Sequence, residues 1–338
     1  MHTNVTVIIR SVGERTESLC RSLVSQQVPE DSIAVVREAP FSAALVESFQ
    51  VGIKRGLPWT LCLDADILLR PDAIEDLLHA AQGIEDNVCE IQGLVLDKFF
   101  GGPRVGGPHL YRTSLLPRVL DLIPKAGCDL RPETYALEQM KGLGNPWRQI
   151  PIVLGLHDFE QYYRDIFRKS FVQAHKHPDF THLFVKYWRR MAVKDNDYQV
   201  ALWGLAAGIA QVNDVRIDVR QTLSDAAECL SRHGWEEKPC ISEDELSAER
   251  IERIIAEFDE AEEYKLLFPK RFGLAAGEEK SRAPNASGLH DAGKPESRRQ
   301  KLLDLRERVG VLRLIPWLFG WSLTRLGNKI RRLSERVS

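Results

Sequence analysis

The chain has 338 residues, 43% of them apolar and 28% charged, with a formal net charge of −2; this is the profile of an ordinary soluble protein large enough for a full core and a smaller addition. No apolar run reaches the roughly eighteen residues that a membrane-spanning helix needs, and Met1 to Asn4 lead straight into a strand-like segment without a basic leader, so neither a span nor secretion is expected. Cys20, Cys62, Cys89, Cys128, Cys229 and Cys240 are scattered with no Cys-x-x-Cys pair, which points to reduced thiols in a cytoplasmic protein, with neither disulfide nor zinc.

In chain order, Val5 to Ile9 reads as a strand, and Leu19, Leu23 and Val24 follow at helical spacing. Ser32 to Val36 is a second strand, Phe41 to Lys54 a helix, Thr60 to Leu63 a third strand, and Pro71 to Gln82 a helix with Pro71 in its first turn. This βα repetition predicts an α/β fold with a parallel sheet. Glu90 to Leu96 is strand-like, Gly101 to Gly107 reads as a glycine-rich loop without a Gly-Lys-Ser/Thr phosphate signature, and His109 to Arg112 is a short strand. Beyond a strand at Ile150 to Leu154 the pattern turns helical, over Phe159 to His175, Leu183 to Val193, Val200 to Ala210 and Glu249 to Phe258. The expected division is a core over 1–158, a helical subdomain over 159–275, a Gly-, Pro- and Ser-rich linker over 276–300 and a tail over 301–338.

Asp64-Ala65-Asp66 is the feature that carries chemistry. Two carboxylates one residue apart, at the carboxyl end of a buried strand, repel each other unless a cation or donor lies between them. Hard oxygens of this kind suit Mg²⁺ or Mn²⁺ beside a diphosphate. The structural alternative is that Asp64 merely ends a strand and Asp66 precedes a helix. The tail offers a second signal. Arg298 to Ser338 holds eleven Lys or Arg against three acids, a net of +8, so the rest of the chain carries about −10. Leu312, Trp317, Trp321, Leu323 and Leu326 alternate there with Arg313, Arg325 and Lys329, as in an amphipathic helix lying on an anionic bilayer. Docking of that helix on the core, or on a second copy to give a homo-oligomer, is the other reading. The acidic main body argues against nucleic acid.

Val7-Ile8-Ile9-Arg10-Ser11-Val12-Gly13-Glu14-Arg15 resembles, in place and length, the opening stretch of family 2-like glycosyltransferases with the GT-A fold. Gln50-Val51-Gly52-Ile53 resembles that family's Arg-Asn-x-Gly-Ile segment, and Leu63-Asp64-Ala65-Asp66 its metal-binding Asp-x-Asp. Arg10 and Gly13 stand where the family has Pro and Asn, and Phe49-Gln50 where it has Arg-Asn, which marks a divergent member. The resemblance implies a GT-A nucleotide-diphospho-sugar transferase fold, a Rossmann-like mixed sheet flanked by helices, with a C-terminal helical extension. It implies a nucleoside pocket lined by Arg10, Ser11, Val12, Glu14 and Glu38, with Gln50 and Asp64 completing the donor contacts. Asp66 would ligate the metal, Asp64 would reach the ribose or the metal's water, and His157, just past the Ile150 to Leu154 strand, would be a third ligand. Asp129, with Glu133 second, would take the acceptor proton in an inverting reaction; a retaining reaction needs no such base.

The expected activity is metal-dependent transfer of a sugar from a nucleoside diphosphate donor, UDP-sugar first, to a glycan or lipid-linked acceptor on the inner membrane face. A sugar-nucleotide nucleotidyltransferase is the nearest rival, although Arg10 to Arg15 is a poor version of its triphosphate loop. An inactive nucleotide-sugar-binding module held at the membrane is the rival from another class.

Overall fold

The computed structural model describes residues 1–211, 215–241, 245–268, 300, 301 and 303. Residues 276–299 of the expected linker and almost all of the basic tail lie outside the described residues. Among the described residues no helix is long and apolar enough to cross a membrane.

The first half alternates as its periodicity demands. Strand β1 (Val5–Arg10) precedes helix α1 (Glu17–Ser25), then β2 (Ile33–Val36), α2 (Phe41–Arg55) and β3 (Trp59–Asp64). All six residues of β1 are buried, the continuous pattern of a strand covered on both faces. Asp64 is the last residue of β3, and Ala65 and Asp66 alone separate it from β4 (Ile67–Leu69), a strand that no sequence signal marked. Helix α3 (Ala73–Ala81) begins two residues later than expected, because Asp72 takes the left-handed conformation (φ 60°) at its N-cap and leaves Pro71 outside the helix.

Strand β5 (Glu90–Asp97) is fully buried, and β6 (Gly102–Arg112) runs through the stretch expected to be a glycine-rich loop. That expectation is corrected: the glycines sit in a strand that pairs antiparallel with both β3 and β5. Helices α4 (Leu116–Leu120) and α5 (Pro132–Gly142) lead to β7 (Trp147–His157). The seven strands form one sheet in the order β2-β1-β3-β6-β5-β7-β4. It is mixed and not parallel: β1 is parallel to β2 and β3, β5 is parallel to β7, and β6 and β4 run against their neighbours. Because two residues link β3 to the far-edge strand β4, the sheet must curl back on itself. A curled mixed sheet flanked by helices is the GT-A-like architecture that the motifs implied.

Helices α6 (Tyr163–Lys176), α7 (Thr181–Met191), α8 (Asn196–Ala210) and α9 (Leu223–Arg232) enclose an aromatic-rich core of their own, with Phe167, Phe171, Phe184 and Trp188 at its centre. Helix α11 (Glu262–Leu267) joins that core through Tyr264, whereas α10 (Ala248–Glu257) returns to the sheet and seats Ile251 in the core that β1, β3 and β7 share. The closest contact is between α6 and α8. A Cβ at Gly204 would strike the Phe167 carbonyl oxygen, and one at Gly208 the Phe171 carbonyl oxygen, so these two glycines one turn apart set the helix separation. Gly204→Val is therefore expected to destabilise the protein by about 1–3 kcal/mol, measured by chemical denaturation, because backbone cannot yield as a side chain does.

Candidate functional site

A cavity of about 300 Å³ opens where the carboxyl ends of β1 and β3 meet α5, α6 and the end of β7, the position at which open α/β sheets bind ligands. Of the residues proposed from sequence, Arg10, Ser11, Val12, Glu14, Glu38, Asp64, Asp66, Glu133 and His157 line it. Gln50 is exposed on α2 and takes no part in the lining. Asp129 faces a smaller cavity behind Pro132, and its Oδ1 accepts the Arg131 N–H at 2.6 Å, closing a turn of its own loop.

Two clusters divide the acidic residues. The first lies around Asp66. Its backbone carbonyl accepts the Asp158 N–H at 3.2 Å, extending the β4–β7 ladder that pairs Ile67 with His157. Asp66, His157 and Asp158 thereby present ligand atoms within 4.8 Å of one another. His157 Nδ1 lies 2.7 Å from Asp97 Oδ2, which leaves Nε2 facing Asp66 Oδ1 at 3.7 Å. Such a carboxylate behind the ring is the arrangement that orients metal-ligating histidines. Asp66 Oδ1 is buried and has no hydrogen-bond partner among the described residues, an orphaned acceptor of the kind that an ion would satisfy. Lys169 donates to both Asp66 and Asp158. Burial opposes the charge on Asp66, but Lys169 and His157 outweigh it and hold the carboxyl at about 2, so it is ionised at neutral pH. Burial likewise opposes protonation of His157, while Asp158, Asp97 and Asp66 raise its pKa. The donor set of two carboxylates and one imidazole fits Mn²⁺ or Mg²⁺.

The second cluster holds Asp64 apart from the first. Arg10, buried at the end of β1, donates from Nε to Asp64 Oδ1 at 2.7 Å and from Nη1 to Glu133 Oε1 at 3.0 Å. The two residues of Asp64-Ala65-Asp66 thus face different partners: Asp66 the candidate ion group, Asp64 a guanidinium. Tyr111 Oη donates to Glu133 Oε1 at 2.8 Å, and His109 lies between Glu133 Oε2 (3.3 Å) and Glu90 Oε1 (2.8 Å). Burial disfavours the Glu133 charge, but Arg10 and His109 overcome it and lower its pKa. Glu90, wholly enclosed, is pushed by burial from 4.5 to about 7 even though His109 pulls it down.

Glu90 yields a pH prediction. Its folded-state pKa exceeds its unfolded value, so its contribution to stability is complete below about pH 4.5 and is lost as pH rises to about 7. His109, whose pKa is also raised, loses its contribution in the same direction. Glu90→Gln should therefore gain on the wild type by roughly 3 kcal/mol between those pH values, read from urea unfolding at each pH. A constant difference between the two proteins would remove Glu90 as the titrating group.

Sequence reasoning missed Asp97, Asp158 and Lys169 as members of the Asp66 cluster, and Glu90 and His109 as partners of Glu133. Asp97 ends an apolar run as Asp64 does, and Glu90 is an acid within a buried strand; either anomaly was visible. Lys169 left no such mark, since a lysine on a helix is ordinary until the fold turns it inward.

No family model matches the chain, and no curated protein matches it. Among solved structures, the chain is similar to a mannosyltransferase from Pyrobaculum calidifontis in complex with GDP-Man and Mn²⁺, at 12% identity over 68% of this chain and 79% of that one, with a TM-score of 0.34. A glycosyltransferase involved in glycosylation of the major capsid of PBCV-1 aligns at 14% identity over 44% of this chain and 82% of its own, TM-score 0.33. A CMP:2-keto-3-deoxy-manno-octonic acid synthetase complexed with CTP aligns at 14% over 45% and 92%, TM-score 0.32.

Proposed function

We propose that the protein is a metal-dependent glycosyltransferase that takes a sugar from a nucleoside diphosphate donor, UDP-sugar first, and passes it to a glycan or lipid-linked acceptor. The observation that carries this reading is the Asp66–His157–Asp158 group, with the orphaned Asp66 Oδ1, in the wall of a cavity that also holds the basic groups Arg104 and Lys169. Asp66, His157 and Asp158 would hold Mn²⁺ or Mg²⁺, which supplies Lewis-acid stabilisation of the departing nucleoside diphosphate.

The remaining roles belong to the chain. Ser11, Val12, Glu14 and Glu38 line the β1–β2 end of the cavity and receive the nucleoside. Asp64, fixed by Arg10, faces the same space and can accept a ribose hydroxyl. Glu133 is the base of an inverting reaction: its Oε1 is taken by Arg10 and Tyr111, while Oε2 can receive the acceptor proton within reach of His109. If Glu133→Gln turned over at the wild-type rate, that role would be gone. Residues 1–158 form the donor side in this reading and the helices from α6 onward the acceptor side. The tail over 301–338 would keep a cytoplasmic enzyme at the membrane surface.

Isothermal calorimetry against UDP, GDP and CDP, each with manganese and again with EDTA, tests the proposal. One nucleotide should bind with manganese and fail to bind with EDTA. Equal binding in EDTA would overturn the metal role, and no binding of any nucleotide would overturn the donor.

A further inference from the structure

Helix α6 carries basic residues at both ends of one face. Lys169, Gln173 and Lys176 recur at spacings of four and three, so they share a stripe, and all three line the cavity. Lys169 serves the Asp66 cluster. Lys176 lies seven residues on, about 10 Å farther along the helix at the usual rise per residue. Its ammonium has no hydrogen-bond or ion-pair partner among the described residues, in contrast to Arg10, Arg104 and Lys169, which are each paired with a carboxylate. Two further donors in the same cavity wall, Arg168 Nε and Gln173 Nε2, are buried and have no hydrogen-bond partner among the described residues. Arg131 reaches the same end of the helix, where its Nη2 donates to the Lys176 carbonyl oxygen at 3.2 Å.

A half-buried ammonium among guanidinium groups is unfavourable unless something negative joins it. Its surroundings show that cost: burial, then Arg131, Arg104 and Arg168, lower the Lys176 pKa to about 7. A donor diphosphate held at Asp66 and Lys169 would lie at one end of the stripe, away from Lys176, which is about 10 Å farther along the helix and keeps no counter-charge of its own there among the described residues.

Resting on the glycosyltransferase reading, we infer that Lys176, Gln173 and Arg168 form a second anion subsite, which receives a phosphate or carboxylate carried by the transferred sugar or by the acceptor. The enzyme's substrates would then include one anionic group beyond the nucleotide. That group fills the empty coordination of the Lys176 ammonium and gives partners to Arg168 Nε and Gln173 Nε2.

The test uses the full chain, inorganic phosphate as probe and magnesium throughout, with binding followed by calorimetry. Phosphate should bind in the presence of a saturating concentration of whichever of UDP, GDP or CDP binds, and Lys176→Gln should weaken it at least tenfold while nucleotide affinity stays the same. Asp66→Ala should do the reverse, losing nucleotide and keeping phosphate, so failure of the donor site and failure of the second subsite are told apart. The glucose and glucuronate esters of that same nucleotide then locate the source. Displacement of phosphate by the glucuronate but not the glucose ester places the anion on the donor sugar, and retention of phosphate with both places it on the acceptor. Phosphate that competes with the bare nucleotide, that binds Lys176→Gln as well as wild type, or that does not bind at all overturns the inference.

Discussion

Asp66→Ala should abolish manganese-dependent nucleotide binding while leaving cooperative unfolding in place. The carboxylate belongs to a group of three donors whose remaining members, His157 and Asp158, would leave too few protein ligands for a hard cation. Loss of the whole metal-dependent fraction is therefore expected in calorimetry, not a partial weakening. The fold should tolerate the change, because Lys169, the side chain's hydrogen-bond partner, keeps Asp158. A variant that bound nucleotide with the same manganese dependence would remove Asp66 from the site altogether. An insoluble variant would be answered by Asp66→Asn, which keeps the shape and loses the charge.

Arg10→Met should have the largest effect on stability, about 3–5 kcal/mol by denaturant unfolding. Arg10 is 4% exposed and is the counter-charge of both Asp64 and Glu133, so its loss strands two carboxylates in one cavity wall. Burial already favours the neutral form of Glu133, and Arg10 is the strongest group opposing it. The variant should accordingly raise the Glu133 pKa and become more stable, relative to wild type, at low pH. A loss below about 1 kcal/mol would mean that Asp64 and Glu133 find other donors, and that Arg10 is not the organiser of this wall.

The same residue shows where sequence reading stops. Asp64 was expected at the site because it ends a buried strand of a βα sheet, and Arg10 because the family resemblance implied a nucleoside pocket there. Their mutual salt bridge was not legible, since it depends on the parallel pairing of β1 with β3 that places Arg10 beside Asp64. Glu133, in the first turn of α5, lines the larger cavity, whereas Asp129, four residues earlier, faces a smaller one and accepts the Arg131 N–H of its own loop. The glycines of β6 misled because glycine marks a loop only where no neighbouring strand claims it. Strand β4, three residues long, carries too little pattern to be seen, yet it brings Asp66 to His157.

That strand has a consequence for how the protein comes into being. Asp66 and Lys169 are 103 positions apart, and Asp66 and Asp158 meet only when β7 has closed onto β4 at the edge of the sheet. Contacts between such distant segments are slow to form, since the intervening chain must first be ordered. The three candidate ligands therefore come together only where β7 is paired with β4. A cation that binds them would favour the finished molecule over intermediates without that pairing, by an amount set by its concentration relative to Kd. Metal uptake during refolding would then follow the closing of the sheet, and its rate would time the last step of assembly.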